Sequence, residues 1–404
     1  MLSVYGGREV KRILKMIKLR TIEGVDLKGC EVILRVDINV PVKGKIPETS
    51  VRLTSAARSI KELQSAGARV IVLAHRGRPK GVDPDLSLEP IARWFMEELQ
   101  DDTVFFQAAA PFEEIKRRVH AMASGDVLFL ENLRFHPGEK KGDLVFAEQL
   151  ASLGDVYIND AFGNSHRDHA SMTGITRFVD SYAGSGILRE LEALEPVAHP
   201  TKRPFVAIIG GAKISSKLHA MRHVLDTADQ VFVGGAIATA FFAAQGKEIG
   251  TSFIIKEEIE FARELMGHHA LRLPSDVLVK STSGKYRMIA VTDIKEDEAI
   301  ADIGMKTIAD ISKVAKKAKL ILWNGPVGIV EEEQSRVGSD ALTHIVAEVA
   351  RGSAYGVIGG GDTVNLPFEL GIADFVDHIS TGGGAMLEYV GGQSLPALKV
   401  LKEE

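Results

Sequence analysis

The strongest constraint on this chain is a recurring kind of short apolar run that does not alternate with polar residues. In the first half these runs are "EVILRVD" (31–37), "ARVIVLA" (68–74), "DVLFLEN" (126–132) and "DVYINDAF" (155–162). In the second they are "PFVAIIGG" (204–211), "DQVFVGGA" (229–236), "SDVLVKS" (275–281), "KLILWNGP" (319–326) and "GVIGGGDT" (356–363). A strand with one wet face alternates, whereas one apolar on both faces is buried on both. Segments of helical period, such as "SLEPIARWFMEEL" at 87–99, lie between them. Strand and helix in alternation predict parallel sheets covered by helices. The expected fold is therefore α/β, with two doubly wound parallel-sheet (Rossmann-like) domains joined by a hinge helix.

The joint is expected at 183–204, where "AGSG" precedes the helical stretch "ILRELEALEPVAHP", ended by Pro196 and Pro200. This gives an N-terminal domain over 1–186, an interdomain helix over 187–203 and a C-terminal domain over 204–393. A length of 404 residues suits that division.

Charge narrows the range of partners. The net charge is −5, and residues 1–190 carry 27 Lys and Arg against 26 Asp and Glu. Neither half shows the basic excess of a nucleic-acid binder, so positive charge must act by local clustering on a small anion. One cysteine, Cys30, excludes an internal disulfide and cysteine-based zinc clusters within one chain, and makes a reducing cytoplasm the natural compartment. No run of 18 uninterrupted apolar residues is present to span a membrane. The leading "MLSVYGGREVKRILK" is basic and mildly amphipathic like a targeting peptide, but it lacks an apolar centre and contains Glu9. It reads as an N-terminal extension, or as an upstream start with Met16 the natural one.

In open α/β sheets ligands bind beyond the carboxyl ends of the strands. The polar motifs sit at those ends: Asp37 and Asn39 after one run, His75 to Arg78 after the next, Arg134 after "LFLEN", and His166 with Arg167 after "YINDAFGNS". With Arg52 and His169 they form a cationic rim whose guanidinium forks match carboxylate and phosphate oxygens. His166 and His169 alone, without further spaced ligands, make a poor metal site. "HRD" at 166–168 imitates the protein-kinase catalytic loop, yet Thr173 stands where that motif needs Asn, and no Asp-Phe-Gly follows. Neither a P-loop nor a dinucleotide fingerprint occurs. The second half instead carries glycine clusters at strand ends: "GGAKISSK" (210–217), "GGAIA" (234–238), "WNGPVG" (323–328), "GGGDT" (359–363) and "TGGGA" (381–385). Glycines there let backbone N–H groups approach phosphates. Lys213 and Lys217 are placed to reach such phosphates, and Asp362 is the natural carboxylate for Mg²⁺.

Taken in order, "RVDINVP", "AHRGRPKG", "LENLRF", "NDAFGNSHRDHAS", "GGAKISSK", "WNGPVG", "GGGDT" and "STGGGA" closely resemble the phosphoglycerate kinase family over residues 31–398. The resemblance implies a 3-phosphoglycerate site in the N-terminal domain comprising Asp37, Asn39, Arg52, His75, Gly77, Arg78, Arg134, His166 and Arg167, and Ile38 and Arg76 between them are assigned to the same substrate-binding set. It places ATP or ADP on the facing domain. There Gly211, Lys213 and Lys217 lie at the phosphates, Gly234 and Gly235 beside the base, Asn324 near the phosphate chain and Glu331 at the ribose. Gly360, Gly361, Asp362 and Thr363 form the metal-bearing loop. Gly383 in "TGGG" meets the phosphoryl group in transfer, and 394–404 packs back on the N-terminal domain. The chain departs from the family pattern in "KIPETSVRL" (45–53), which lacks an acidic pair, and at Arg76 and Ser216.

The chemistry so implied is phosphoryl transfer between 1,3-bisphosphoglycerate and ADP. In reverse the nucleophile is a carboxylate, ionised well below neutral pH, so no general base is needed. Positioning and charge neutralisation suffice, supplied by Arg52, Lys213, Lys217 and Mg²⁺. One substrate on each domain implies closure, with 183–204 and 381–398 as hinges in what is expected to act as a monomer. Another kinase of a small carboxylate, or a non-catalytic nucleotide-binding scaffold, are the alternatives. Presence of Arg52, Lys213, Lys217 and Asp362 argues against the scaffold.

Overall fold

A computed structural model describes residues 19–42, 51–99 and 102–403. The suggested start at Met16 and most of the segment before Arg52 lie outside the described residues. The Cα packing divides the chain into two compact units, one of residues up to Glu192 together with those from Ser394 on, the other of Ala193–Gln393.

In the first unit β1 (Glu31–Val36), β2 (Arg69–Leu73), β3 (Val104–Gln107), β4 (Val127–Leu130), β5 (Val156–Asp160) and β6 (Asp180–Ala183) form one parallel sheet in the order β3-β4-β2-β1-β5-β6. Both faces of β1 are buried, and Ile33 and Leu34 enter separate apolar clusters on opposite sides of the sheet. That is the physical content of the unalternating run.

The second unit holds β7 (Phe205–Ile209), β8 (Gln230–Val233), β9 (Leu271–Arg272), β10 (Asp276–Ser281), β11 (Tyr286–Ala290), β12 (Glu298–Ile303), β13 (Leu320–Asn324), β14 (Tyr355–Gly359) and β15 (His378–Ser380). Six of them make a parallel sheet in the order β15-β14-β13-β7-β8-β9. Numbered along the chain this is the 3-2-1-4-5-6 order of a doubly wound sheet, with its switch point between β7 and β13. Fully buried Trp323 and Ile208 anchor its core.

Two expectations need correction. "SDVLVKS" is not in the parallel sheet. It is β10, the centre of a separate antiparallel sheet of order β11-β10-β12. Its burial alternates through the stretch Asp276–Val279, as expected of a strand with one covered face. Pro196 does not end the interdomain helix, which runs Ser185–Ala198 with Pro196 inside its last turn. The start of that helix is fixed by Asp160 at the end of β5, whose Oδ1 accepts from the Gly186 and Ile187 N–H groups at 2.6 and 3.1 Å. Asp160 also takes the Ser59 hydroxyl from the helix Val51–Ser65.

Candidate functional site

Because β1, β2, β4 and β5 run parallel, the turns after them share one edge. Asp37 Oδ1 accepts from the Asn39 N–H at 3.3 Å and from Arg52 NH1 at 3.4 Å. Arg52, at the start of its helix, also donates to Asn39 O at 3.1 Å. Asn39 Oδ1 in turn accepts from the Gly77 N–H at 2.8 Å, tying the first turn to the second. Gly77 has φ +63°, a left-handed conformation that selects glycine. Arg134 NH1 donates to Gly77 O. Asp37, Asn39, Arg52, Gly77 and Arg134 therefore form one hydrogen-bonded set, with Ile38 buried within the core beneath it.

Arg76 differs from its assignment. Its guanidinium is buried and donates to Val40 O at 3.4 Å, Asp85 O at 2.9 Å and Ser87 O at 3.0 Å. Its Nε and NH1 are engaged by main-chain carbonyls, so the side chain holds the loop together. Arg78 is exposed and has no hydrogen-bond partner among the described residues.

Burial first, and concentrated positive charge second, govern protonation here. Burial, then Arg167, brings Arg134 down to about 10. Burial followed by Arg167 likewise takes His169 down to about 4 and lowers His166. His75 is held well below the usual histidine range by burial, then by Arg35, Arg134, Arg167 and His169. The histidines are thus neutral at pH 7, and the charge resides on Arg52, Arg78, Arg134 and Arg167. Buried polar atoms without a partner cluster in the same segments: His75 Nε2, Arg134 Nε, Asn164 Nδ2 and His166 Nδ1. Unsatisfied buried groups of this kind cost about 1–3 kcal/mol each unless a water or a ligand supplies the partner.

Sequence reasoning missed the residues behind the rim. Asn132 Oδ1 accepts from the Arg76 and Arg134 N–H groups at 3.2 and 3.1 Å, while its Nδ2 donates to Arg76 O at 2.7 Å and Leu86 O at 2.9 Å. Arg35, Glu139 and Ser171 were also missed. The available signal for Arg35 was a charge inside an otherwise apolar strand.

On the second sheet the polar groups converge on the switch point. Lys217 Nζ donates to Gly210 O at 2.7 Å, beyond β7, and to Asn324 O and Oδ1 at 3.2 and 2.8 Å, at the end of β13. Burial pushes Lys217 down to about 8, with Asp362 acting the other way. The loops touch through their backbones: the Gly211 N–H donates to Pro326 O at 2.8 Å and the Gly235 N–H to Val327 O at 2.9 Å. A Cβ on Gly210 would lie 2.1 Å from Pro326 O, so no larger residue fits. Gly234 precedes the helix Gly235–Ala244, and Gly360 and Gly361 follow β14. Thr363 Oγ1 is buried without a partner, and Asp362 beside it is exposed. Lys213 and Glu331 are exposed on their loops, and Gly383 caps the helix Gly384–Val390.

Among the described residues no group of three His, Cys, Asp or Glu side chains is placed to hold a metal ion. A single exposed carboxylate, Asp362, beside glycine-rich loops fits Mg²⁺, which keeps waters and takes phosphate oxygens with one or two carboxylates.

An α/β fold with clustered guanidiniums at the edge of one parallel sheet, and glycine turns around a buried lysine at the switch point of the other, is the frame of a phosphotransferase acting on a small charged metabolite. The chain belongs to the phosphoglycerate kinase family, whose model matches residues 22–393. It is 39% identical to the phosphoglycerate kinase of Prosthecochloris aestuarii and 42% identical to that of Desulfosudis oleivorans, each match covering 95% of this chain and 99% of the relative. The phosphoglycerate kinase structure from Pyrococcus horikoshii superposes with a TM-score of 0.84 at 29% identity, and that from Coxiella burnetii with 0.77 at 32%. Each covers 95% of this chain and 98% of the solved one. The reaction is reversible phosphoryl transfer from 1,3-bisphosphoglycerate to ADP, giving 3-phosphoglycerate and ATP.

Proposed function

We propose that the rim of the first sheet binds 3-phosphoglycerate and its acyl phosphate, and that the switch point of the second sheet binds ADP or ATP. The observation that carries this division is the contrast in donors. Arg78, Arg134 and Arg167 with three neutral histidines suit a small acid bearing two anionic groups. Glycine-walled turns around Lys217 suit a phosphate chain. Asp37 and Asn39 orient the substrate hydroxyl, and Arg52 lies against the transferred group.

The acceptor carboxylate attacks without a base, so the protein's task is alignment and neutralisation. Lys217 supplies a buried cation, Lys213 an exposed one, and the glycine loops supply N–H donors. Gly383 and its neighbours meet the phosphoryl group as it moves. Asp362 holds the nucleotide's Mg²⁺, which when bound neutralises phosphate charge. Substrates held on separate units require closure, for which 183–204 and 381–398 serve as hinges. A shrinking radius of gyration in small-angle scattering with both substrates would support this, and an unchanged one would oppose it.

We read the enzyme as a cytoplasmic monomer, since one chain carries both sets of substrate-binding residues and its single cysteine suits a reducing compartment. No helix among the described residues is long and apolar enough to cross a membrane. A coupled assay with 3-phosphoglycerate and ATP tests the reading. Turnover that requires Mg²⁺ and fails in chelator is expected, and metal-independent turnover would remove Asp362 from its role.

A further inference from the structure

The mechanism above leaves a buried network behind the first rim without a task. Arg35 is fully buried in the middle of the sheet, on β1. Its Nε donates to Ser171 Oγ at 3.0 Å, its NH1 to Val36 O, and its NH2 lies 3.0 Å from His75 Nδ1. Ser171 Oγ donates to Glu139 Oε1 at 2.7 Å, and the Ser171 N–H to Glu139 Oε2 at 3.0 Å. Glu139 is fully buried as well, and fully buried Tyr157 closes the network by donating to Ser171 O at 2.7 Å.

The polarity of every link is forced. A guanidinium only donates and a carboxylate only accepts, so the Ser171 hydroxyl must accept from Arg35 and donate to Glu139. At the other end the same rule makes His75 Nδ1 an acceptor. A neutral imidazole that accepts at Nδ1 carries its proton at Nε2. That nitrogen is the buried one left without a partner, although the ring is almost wholly enclosed.

We infer that Arg35 is a positioning residue for the reaction. Anchored by Ser171 and Glu139, it locks His75 as the Nε2–H tautomer, so that the site presents a neutral donor to an anionic oxygen of the substrate. The choice matters because the opposite tautomer would aim a lone pair at that oxygen. Ionising the ring would add one more cation to a cluster where Arg35, Arg134 and Arg167 already face it together with His169. The ligand atom meeting His75 must then be a hydrogen-bond acceptor, which makes this residue a filter against substrates bearing an amine there.

The naming of that ligand rests on the 3-phosphoglycerate reading, whereas the tautomer does not. The first test is long-range ¹H–¹⁵N correlation of the imidazoles in ligand-free protein at pH 7, with His75 assigned through His75→Gln. A proton on Nε2 with bare Nδ1 is expected. An Nδ1–H ring or an imidazolium overturns the inference, and this wild-type measurement decides it even where variants do not fold.

The second test compares Arg35→Met with Arg35→Lys, whose ammonium still only donates. In Arg35→Met the tautomer should mix and the KM for 3-phosphoglycerate rise about tenfold or more, with the KM for ATP unchanged, as expected for one lost buried hydrogen bond. Arg35→Lys should restore most of both. An unchanged 3-phosphoglycerate KM beside a mixed tautomer would overturn His75's place in that substrate site while leaving the tautomer assignment standing. Unchanged tautomer and KM in folded Arg35→Met would overturn Arg35's role.

Discussion

The two parallel sheets carry opposite kinds of polar group at their strand ends. On the first these are long side chains held from behind: Arg134 is placed through buried Asn132, and the Gly77 turn through Asn39. On the second they are backbone groups, where glycines let β7, β8 and β13 bring their turns within hydrogen-bonding distance around Lys217. A side-chain site reads the shape of a small polyanion but must manage crowded charge, which here is done by keeping the histidines neutral. A backbone site tolerates a larger, flexible phosphate chain and needs only one buried cation.

That contrast can be broken most forcefully at Lys217. Replacing it with Ala should lower kcat about 10²–10³-fold in the coupled assay, the usual loss on removing one preorganised group that stabilises the transition state. A change under threefold would mean that backbone N–H groups suffice alone. Gly210→Ala attacks the backbone side without removing charge. Its Cβ conflicts with Pro326 O, and the displaced loop should raise the KM for ATP by about 30-fold or more, as misplaced substrate-positioning groups do. The KM for 3-phosphoglycerate should stay within twofold.

Asn132→Ala breaks the side-chain site from behind. Four hydrogen bonds to buried backbone disappear, and at about 1–3 kcal/mol for each group left unsatisfied, partly relieved by relaxation, the loss should be about 3 kcal/mol in urea unfolding. The 3-phosphoglycerate KM should rise with it. Loss of stability without a change in KM would detach Asn132 from the site.

The smallest effect is one of pH. Lys217 sits near 8 in the free protein, below the ordinary lysine value, and bound phosphate favours its charged form. Above pH 8 nucleotide binding must therefore take up a proton, so ADP affinity should fall by up to about tenfold per unit as pH rises, and stay flat below pH 8. Calorimetry in buffers of different ionisation heat would report the proton, and an affinity constant to pH 9.5 would contradict it.

Legibility in the sequence followed the same divide. Glycine clusters after apolar runs announce a backbone site directly, because the residue type and the geometry are the same fact. The polar residues of the first rim were equally visible, since Asp37, His75 and Arg134 each follow a strand. Their supports were not. Arg35, Glu139 and Ser171 become partners only when β1 and the segments holding the other two meet, more than 100 residues apart for Arg35 and Ser171. Arg76 misled for the same reason, as nothing local says that three carbonyls will claim it. β10 was misread because a short apolar run does not say which sheet it joins, and that depends on β11 and β12 folding beside it.

The central claim, one anion on each sheet by separate means, is tested most directly by titrating 3-phosphoglycerate and ADP one at a time into Arg78→Ala and Gly210→Ala by calorimetry. The account predicts a crossed result: Arg78→Ala loses affinity for 3-phosphoglycerate by about tenfold or more and keeps that for ADP, while Gly210→Ala does the reverse. Either variant weakening both ligands equally, or an Arg78→Ala protein that binds 3-phosphoglycerate as the wild type does, would contradict it.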